Sequence, residues 1–201
     1  MELVTIIIGY LLGSIPWALV IGKVFYQVDI REKGSGNLGG SNAGRVLGKK
    51  AGIIVILLDA FKALLAMLIS YHFFPSSFTF IYTGLACCIG HCFPLFANFK
   101  GGKAVATSFG FLLGISILHH QEYLYLIVIP LIFFFLLLYL YKYVSLASLS
   151  SLGIAFIISL LIQEPLNIQI SLFILWLFVI YRHQANIHRL INKKETKVKW
   201  L

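Results

Sequence analysis

The stretch Gly34-Ser35-Gly36-Asn37-Leu38-Gly39-Gly40-Ser41-Asn42-Ala43-Gly44-Arg45 is polar and rich in glycine, whereas almost everything around it is apolar. Glycine allows backbone conformations in which successive N–H groups point inward and form a nest for an anion. Serine and asparagine add side-chain donors, and the planar guanidinium of Arg45 suits a phosphate group. This stretch, which we call the glycine-rich loop, therefore predicts a phosphate-handling segment held at a membrane surface.

The composition of the chain excludes an ordinary soluble domain. Hydrophobic residues make up 60% of the 201 residues, and the mean hydropathy is +0.93. A membrane span needs roughly 20 mostly apolar residues, so this length holds about six or seven spans and little else. The formal net charge of +9 would suggest nucleic acid as a partner of a soluble protein. In a membrane protein, basic residues mark cytoplasmic loops and anionic headgroups, so we expect membrane lipid and no nucleic acid as a partner.

The cysteines and the N-terminus predict neither a redox site nor a processed leader. Cys87, Cys88 and Cys92 share one apolar segment, which is typical of small core residues and not of disulfides or metal ligands. The chain opens with Glu2 and an apolar run that lacks a basic n-region and a cleavage signal. We therefore expect a retained first helix, no cofactor and no metal.

The apolar runs predict an all-α integral membrane protein with about seven transmembrane helices, forming a single polytopic membrane domain over residues 1–201. The fourth run is short for a full crossing, and Pro16 lies inside the first run, where helices in lipid tolerate it. Pro165 suits the first turn of the last helix. The predicted spans are residues 3–26, 51–74, 78–97, 104–118, 123–141, 144–162 and 166–181, with a polar turn at 119–122 between the fourth and the fifth.

The basic residues segregate to one side of this arrangement. Seven crossings place the loops at 27–50, 98–103 and 142–148, together with the tail at 182–201, on the same side. That side, with Lys23 at the end of the first span, then holds every lysine and arginine of the chain except Lys62, which lies inside the second span. The positive-inside rule predicts the N-terminus outside and the C-terminus in the cytoplasm. All the conspicuous polar motifs consequently face the cytoplasm.

Two of these motifs lie in the first half of the chain. Residues 34–39 match the G-x-G-x-x-G pattern of dinucleotide sites, but a membrane helix precedes them in place of a strand, and a plain flexible loop is the simpler alternative. The second motif runs from Gly90 and His91 to Lys103. We expect the N–H groups of Gly101 and Gly102 to cap the fourth span and face an anion, which would also balance Lys103 at the positive end of that helix. Lysines that meet lipid headgroups are the alternative.

The remaining polar residues lie in the second half of the chain and inside the spans. His183 and Asn186 are spaced i, i+3 and share one helical face, which favours a site over the alternative of a basic amphipathic helix on the headgroups. That alternative suits Arg189 and the tail lysines better. Asp59 and Lys62 are also spaced i, i+3, and inside lipid they fit a structural ion pair better than a catalytic one. His91 is a candidate for function, because buried polar groups are costly in lipid.

These motifs, taken together and in order over nearly the whole chain, resemble those of the bacterial PlsY-type acyl-phosphate:glycerol-3-phosphate acyltransferases. The resemblance rests on Gly34–Asn37 with Asn42 and Arg45, on Gly90-His91 through Lys100-Gly101-Gly102-Lys103, on residues 143–148, and on Arg182-His183 with residues 186–190. The sequence departs from the family pattern at Ala63, Ala104 and Lys193, where the family usually has glycine. Lys193 precedes Glu195, which matches a family glutamate.

The resemblance implies a reaction and a location. An acyl phosphate would give its acyl group to the 1-hydroxyl of glycerol 3-phosphate, yielding lysophosphatidic acid and phosphate in the first acylation of phospholipid synthesis. The enzyme would lie in the bacterial inner membrane with its active site facing the cytoplasm. The catalytic candidates are Ser35, His91, His183 and Asn186. The candidates for binding substrate phosphate are Gly36, Asn37, Gly39, Gly40, Asn42, Arg45, Gly101, Gly102, Lys103 and Ser145.

The candidate residues have the charges and hydrogen-bond donors that this reaction requires. Arg45, Lys103 and His183 are ionic donors for one phosphate, and the glycine-rich loop with Ser35 and Asn37 suits the other phosphate and the carbonyl oxygen that gains negative charge. The donor is already an activated mixed anhydride, so we expect direct attack by the hydroxyl without an acyl-enzyme. The proton acceptor is open at this point between His91, His183 and a substrate phosphate oxygen.

Two other classes of protein share some of these features. Intramembrane charges and a short helix are also typical of a small transporter for phosphorylated metabolites, although the polar groups cluster on one side and the sequence has no visible repeat. A structural membrane subunit with a headgroup-binding surface is the third hypothesis.

Overall fold

The structure, a computed structural model, describes residues 1–119 and 125–198, and these residues form helices and connections without a strand. The helices group into two compact units, Met1–Gly114 and Ile115–Leu201, which are described separately here. The helices are α1 (Glu2–Gly13), α2 (Trp17–Tyr26), α3 (Gly40–Val46), α4 (Lys49–Phe73), α5 (Thr79–Cys92), α6 (Val105–Leu118), α7 (Tyr125–Tyr141), α8 (Val144–Leu161), α9 (Leu166–Arg182) and α10 (Gln184–Ile191), with 3-10 turns at Ile30–Glu32 and Leu95–Ala97.

Each predicted span corresponds to an observed helix, except that the first is broken. The chain bends by 42° between α1 and α2, because the ring of Pro16 cannot continue the helical hydrogen bonds. The prediction of one helix with an internal proline was therefore wrong. The predicted turn at residues 119–122 and the start of the fifth span at Tyr123 lie largely outside the described residues.

The lengths of the helices agree with a protein of the membrane. Among the described residues, three helices are long and apolar enough to cross a bilayer, and the number rises to five if each of two bent pairs forms one span. The bent pairs are α1 with α2 and α9 with α10, and α6 and α7 are shorter apolar helices. The count of seven crossings and their direction stay predictions.

Glycines allow close packing of the helices in the first unit. Gly9 and Gly13, spaced four residues apart on α1, lie directly against the backbone of Thr83 and Cys87 on α5, where no side chain would fit. Gly90 on α5 lies in the same way against the backbone of Tyr10. Helices in membranes associate through such small-residue faces because close backbone approach maximises van der Waals contact. Cys87, Cys88 and Cys92 form no disulfide among the described residues and are buried on α5, as predicted for core residues.

The segment predicted as a continuous polar loop, residues 27–50, contains a helix. Residues Gly40–Val46 form α3, and α4 already begins at Lys49. Gly40 and Gly44 of α3 lie against Gly52 of α4, so the absence of side chains lets the two backbones touch. Glycine lowers helix propensity, but this packing compensates for it. In the second unit α8 packs between α7 and α9, and Trp176 of α9 donates a hydrogen bond to the Leu149 carbonyl of α8 (2.9 Å).

Candidate active site

Asn42 holds the glycine-rich loop in one conformation. Its side chain is 1% exposed, and its Oδ1 accepts a hydrogen bond from the Ser35 N–H at 2.8 Å. Its Nδ2 donates to the Ile30 and Lys33 carbonyls, both at 3.2 Å. The amide group of Asn42 is therefore engaged within the protein. This differs from the predicted role in phosphate binding and makes Asn42 a residue that positions the loop.

Two glycines of this loop have backbone conformations that other residues rarely adopt. Gly34 has φ +61° and Gly36 has φ +69°, both in the left-handed region. A side chain at Gly34 would also overlap the Asn42 amide. The loop therefore depends on glycine at these two positions for its shape.

Ser35, Ser41 and Arg45 are the exposed polar side chains that this loop presents. Neither the Ser35 hydroxyl nor the Arg45 guanidinium has a hydrogen-bond or ion-pair partner within residues 1–119 and 125–198. Gly40, in contrast, is buried against Ile56 of α4, so its role is packing. Gly39 precedes α3, and its carbonyl accepts the first N–H groups of that helix, those of Asn42 and Ala43. The N–H groups of Gly39 and Gly40 donate to no backbone carbonyl that the structure describes, so their predicted use toward phosphate stays a prediction.

The glycine-rich loop meets the second motif, as the sequence predicted for these two segments. The Asn37 Nδ2 donates to the Gly101 carbonyl at 3.4 Å. Beside this contact lies a pocket of about 330 Å³ to which both segments contribute, Gly36 from the loop and Asn98 and Lys100 from the second motif. Arg31 also lines the pocket, and its guanidinium pairs with Asp29 at 2.6 Å. The hydrogen bond from the Arg31 side chain lowers the pKa of the Asp29 carboxyl well below its usual range.

The N–H groups of Gly101 and Gly102 have partners inside the protein. The Gly102 N–H donates to the His91 carbonyl at 3.0 Å, and the Gly101 N–H donates to the Cys92 carbonyl at 3.2 Å. These bonds fold the segment back onto the end of α5, and α6 begins only at Val105. The two N–H groups therefore do not face an anion as predicted. Lys103 is half-buried and engaged with another residue.

A buried cluster of ionisable side chains lies next to this segment. Lys62 and Asp59 of α4 form an ion pair with 2.9 Å between Nζ and Oδ1, and both side chains are almost fully buried. The Lys62 Nζ also lies 3.0 Å from the His91 Nδ1 and donates to the Ile15 carbonyl at 3.0 Å. Ile15 lies at the break between α1 and α2, so Lys62 binds a carbonyl that no continuous helix satisfies. The predicted structural pair is therefore part of a larger network that includes His91.

In the second unit, Glu195 connects two predicted site residues. Its Oε1 accepts hydrogen bonds from the Ser145 hydroxyl at 2.9 Å and from the Asn186 Nδ2 at 2.6 Å, and its Oε2 accepts one from the Arg189 Nε at 2.7 Å. Burial alone would raise the pKa of the Glu195 carboxyl. The hydrogen bonds from Asn186, Arg189 and Ser145 together outweigh burial, so the pKa lies below its ordinary value. Glu195 thus orients the side chains of Ser145 and Asn186.

The imidazole of His183 is buried at the junction of α9 and α10. Its Nδ1 lies 2.8 Å from the Val179 carbonyl oxygen, which only accepts hydrogen bonds. The Nδ1 must therefore carry a proton, and in the neutral imidazole the lone pair is then on Nε2. His183 and Asn186 both lie on the buried side of this segment, as the i, i+3 spacing predicted.

The family model for glycerol-3-phosphate acyltransferases matches residues 3–193. The chain belongs to the glycerol-3-phosphate acyltransferase family. Relatives in this family include the glycerol-3-phosphate acyltransferase of Geobacillus kaustophilus, which is 43% identical over 100% of this chain and 98% of its own length. That of Listeria monocytogenes is 47% identical over 97% of this chain and 96% of its own length.

Solved structures agree with the family assignment. The crystal structure of PlsY (YgiH), an integral membrane glycerol 3-phosphate acyltransferase, in its glycerol 3-phosphate form matches with a TM-score of 0.90 and 36% identity over 98% of this chain and 95% of that chain. The lysophosphatidic acid form matches with a TM-score of 0.88 and covers 98% and 94%. The predicted family, the predicted class of enzyme and the multi-pass membrane character are confirmed. None of these comparisons supports the transporter alternative.

The sequence alone did not assign a role to two residues of the candidate site, Lys62 and Glu195. Lys62 was separated from His91 by 29 residues in the chain, and only the packing of α4 against α5 shows that they touch. Glu195 was noted as a match to a family glutamate, but no spacing rule linked it to Ser145, which lies 50 residues earlier.

Proposed function

We propose that this protein transfers a fatty acyl group from an acyl phosphate to the 1-hydroxyl of glycerol 3-phosphate, releasing lysophosphatidic acid and inorganic phosphate. The observation that carries the proposal is the full-length likeness to PlsY, whose two crystal forms are described by glycerol 3-phosphate and lysophosphatidic acid, an acceptor and its acylated product. The exposed Ser35 and Arg45 on a loop fixed by Asn42 support a site for phosphate-bearing substrates.

An acyl phosphate is the donor that the resemblance implies, and the reaction with it balances as follows. The hydroxyl oxygen of glycerol 3-phosphate attacks the acyl carbonyl carbon, the bond from that carbon to the phosphate oxygen breaks, and phosphate leaves with the electron pair. The hydroxyl proton passes to a base and then to the phosphate. Because an acyl phosphate is already activated, alignment and charge stabilisation suffice, and no covalent acyl-Ser35 is needed.

We assign the proton to the Nε2 of His183. The hydrogen bond from Nδ1 to the Val179 carbonyl leaves the lone pair of the neutral ring on Nε2, where it can accept a proton. Asn186 lies on α10, directly after His183, and Ser145 lies on α8 of the same unit; Glu195 binds both side chains, and we assign them to substrate orientation. Arg45 and Lys103 supply positive charge for the substrate phosphates, and Ser35, Gly36 and Asn37 supply neutral donors.

The orientation in the membrane belongs to the same proposal. Seven crossings with the N-terminus outside place all lysines and arginines except Lys62 in the cytoplasm, where both phosphorylated substrates would be available. We therefore place the enzyme in the bacterial inner membrane with its active site on the cytoplasmic side. Single cysteines introduced at residue 41 and at residue 192 should react with a membrane-impermeant maleimide only after the cells are opened. Labelling of intact cells at either position would contradict this orientation.

The direct test uses detergent-solubilised protein with palmitoyl phosphate, with or without glycerol 3-phosphate and without any thioester donor. We expect equal amounts of phosphate and lysophosphatidic acid, and little release of phosphate without the acceptor. Conversion with palmitoyl thioesters but not with palmitoyl phosphate would refute the proposed donor. Acylated protein, detected by mass spectrometry after incubation without acceptor, would refute direct attack.

Variants separate the proposed roles from general damage to the fold. Replacing His183 by glutamine should lower kcat by about 10²- to 10⁴-fold, the usual contribution of a general base. His188→Gln, a change of an exposed histidine on α10 five residues after His183, is the matched control and should retain wild-type activity. Arg45→Ala should raise the KM for a phosphorylated substrate, whereas Lys50→Ala, which removes an exposed charge at the start of α4, should not. Equal effects of Arg45→Ala and Lys50→Ala would argue for a nonspecific surface charge.

A further inference from the structure

The ammonium group of Lys62 has three close polar neighbours. These are the Asp59 Oδ1 at 2.9 Å, the Ile15 carbonyl oxygen at 3.0 Å and the His91 Nδ1 at 3.0 Å. Lys62 is only 3% exposed and lies in the middle of a membrane-spanning helix, where a proton without an acceptor has no water to bind. The contacts with Ile15 and His91 have hydrogen-bond geometry, whereas the contact with the Asp59 Oδ1 is an ion pair by distance alone.

The charge balance of the cluster agrees with this description. Asp59 and Lys62 carry no net charge together when both are ionised, whereas a neutral amine would leave an unpaired carboxylate in a buried site. An ammonium group only donates hydrogen bonds, so the His91 Nδ1 must be the acceptor in the contact with Lys62. A neutral imidazole that accepts at Nδ1 carries its proton on Nε2.

The opposite tautomer fits the distances less well. With a proton on Nδ1, His91 could donate to the Asp59 Oδ1, but that distance is 3.4 Å, which is longer than is typical of N–H···O hydrogen bonds. Two N–H groups would then face each other across the 3.0 Å between Lys62 and His91, and one proton of the ammonium group would lose its acceptor. The shorter contact therefore determines the tautomer.

The ring of His91 is also held on its other side. Gly102 lies so close to the His91 Nε2 that a methyl group in its place would overlap the ring, and the Gly102 N–H binds the His91 carbonyl. Lys62 at Nδ1 and Gly102 at Nε2 thus fix the plane of the imidazole and direct its Nε2 edge toward the second motif, which contacts Asn37 of the glycine-rich loop.

We propose that Lys62 is a positioning residue that holds His91 as a neutral imidazole protonated at Nε2. In this state the lone pair of the His91 ring faces Lys62, so His91 is not the acceptor of the hydroxyl proton. The proposal rests on the proposed acyl transfer, and it divides the two candidate histidines by role, with His183 as the base and His91 excluded from that role. Lys62 acts through His91 and does not itself contact substrate.

The tautomer can be measured without substrate and without any change to the cluster. The full-length protein, labelled with 15N-histidine in detergent, is studied by long-range 1H–15N correlation at neutral pH, and the signals of His91 are assigned by their loss in His91→Gln. We expect His91 Nε2 to be protonated and Nδ1 to be unprotonated. A protonated Nδ1, alone or in an imidazolium, overturns the proposal.

The kinetic test uses a substitution that keeps the donor and removes the base. The amide of glutamine places an N–H donor near the position of the histidine Nε2 but has no nitrogen that accepts a proton. His91→Gln should therefore lose less than about 100-fold in kcat, whereas a general base contributes about 10²- to 10⁴-fold. A loss of 100-fold or more overturns the exclusion of His91 as the base, and His183→Gln in the same assay shows how large the loss of a base is in this enzyme.

A paired variant tests the part played by Lys62. Asp59→Asn with Lys62→Met removes both charges together, so no unpaired charge stays buried. We expect a protonated Nδ1 to appear at His91 and the KM for glycerol 3-phosphate to rise by about tenfold. Lys50→Met, at an exposed position of the same helix, should change neither. If the paired variant is folded and the tautomer of His91 is unchanged, the proposed role of Lys62 is overturned.

The two proposals fail in different ways. If palmitoyl phosphate is not a donor but His91 carries its proton on Nε2, the proposed reaction fails and the role of Lys62 stands. If acyl transfer is observed but Nδ1 is protonated, the reaction stands and the role of Lys62 fails.

Discussion

Replacing Lys193 by glycine should stabilise the protein. Helix α10 ends at Ile191 in a Schellman motif, in which the Lys194 N–H donates to the Arg189 carbonyl at 2.7 Å and the Lys193 N–H donates to the Leu190 carbonyl at 3.1 Å. This motif places Lys193 in the left-handed region with φ +54°. Glycine adopts that conformation without the steric conflict that a Cβ introduces.

The size of the effect follows from two opposing contributions. Relief of the left-handed conformation gains about 1–2 kcal/mol for a residue with a Cβ. The substitution also makes the unfolded chain more flexible, which reduces this gain in stability by about 0.4–1 kcal/mol. Lys193 is exposed, so little packing is lost with its side chain. A net gain of about 1 kcal/mol remains, which corresponds to a rise of about 2–4 °C in Tm for a chain of this size.

Thermal unfolding of the purified protein in detergent measures this gain. Lys193→Ala is the matched control, because it removes the charge and the long side chain but keeps the Cβ. Lys194→Gly is a second control, because residue 194 has no positive φ and glycine there should lower Tm. The reasoning is refuted if Lys193→Gly is no more stable than Lys193→Ala.

Three further predictions concern the site. Asn42→Ala removes hydrogen bonds to the Ser35 N–H and to two carbonyls. We therefore expect a loss of about 2–3 kcal/mol in the free energy of unfolding and faster amide exchange at Ser35. Unchanged exchange at Ser35 would contradict the positioning role. Glu195→Gln should lower Tm most at neutral pH. Because the native pKa of Glu195 is depressed, the stabilisation by its carboxylate is present above the ordinary Glu pKa of about 4.3 and is lost as pH falls through the native pKa. The difference in Tm from wild type should therefore shrink below about pH 4, and a constant difference would exclude the ionised network. Gly102→Ala should displace the His91 ring and lower kcat/KM at least about tenfold; wild-type kinetics would show that the ring position is unimportant.

The helices were predictable because the thickness of the hydrocarbon layer dictates the length of apolar runs. The run at 51–74 became α4 at Lys49–Phe73, and the run at 166–181 became α9 at Leu166–Arg182. Helix α3 was not predictable in this way, because its glycines argue against a helix by intrinsic propensity. What stabilises it is contact between Gly40, Gly44 and Gly52, and that contact exists only after α3 has folded back onto α4.

The types of residue in the site were predictable, but their partners were not. The glycine-rich loop and the second motif were expected to meet, and the bond from Asn37 to the Gly101 carbonyl joins them. A sequence shows that Asn42 has an amide group, but not that three backbone groups of the preceding turn use it. In the same way, the i, i+3 spacing revealed the pair of Asp59 and Lys62, whereas the contacts of Lys62 with Ile15 and His91 depend on how separate helices pack.

The glycine face of α1 has a consequence for biogenesis. During synthesis α1 and α4 leave the ribosome before α5, so Gly9 and Gly13 have only lipid beside them until the segment starting at Thr79 has been inserted. A nascent chain that is released before that point lacks α5, so the surface of α1 at Gly9 and Gly13 stays exposed to lipid. Such fragments should be preferred substrates for membrane-bound proteases, and Gly13→Leu, which places a side chain on this surface, should extend the same vulnerability to the full-length chain.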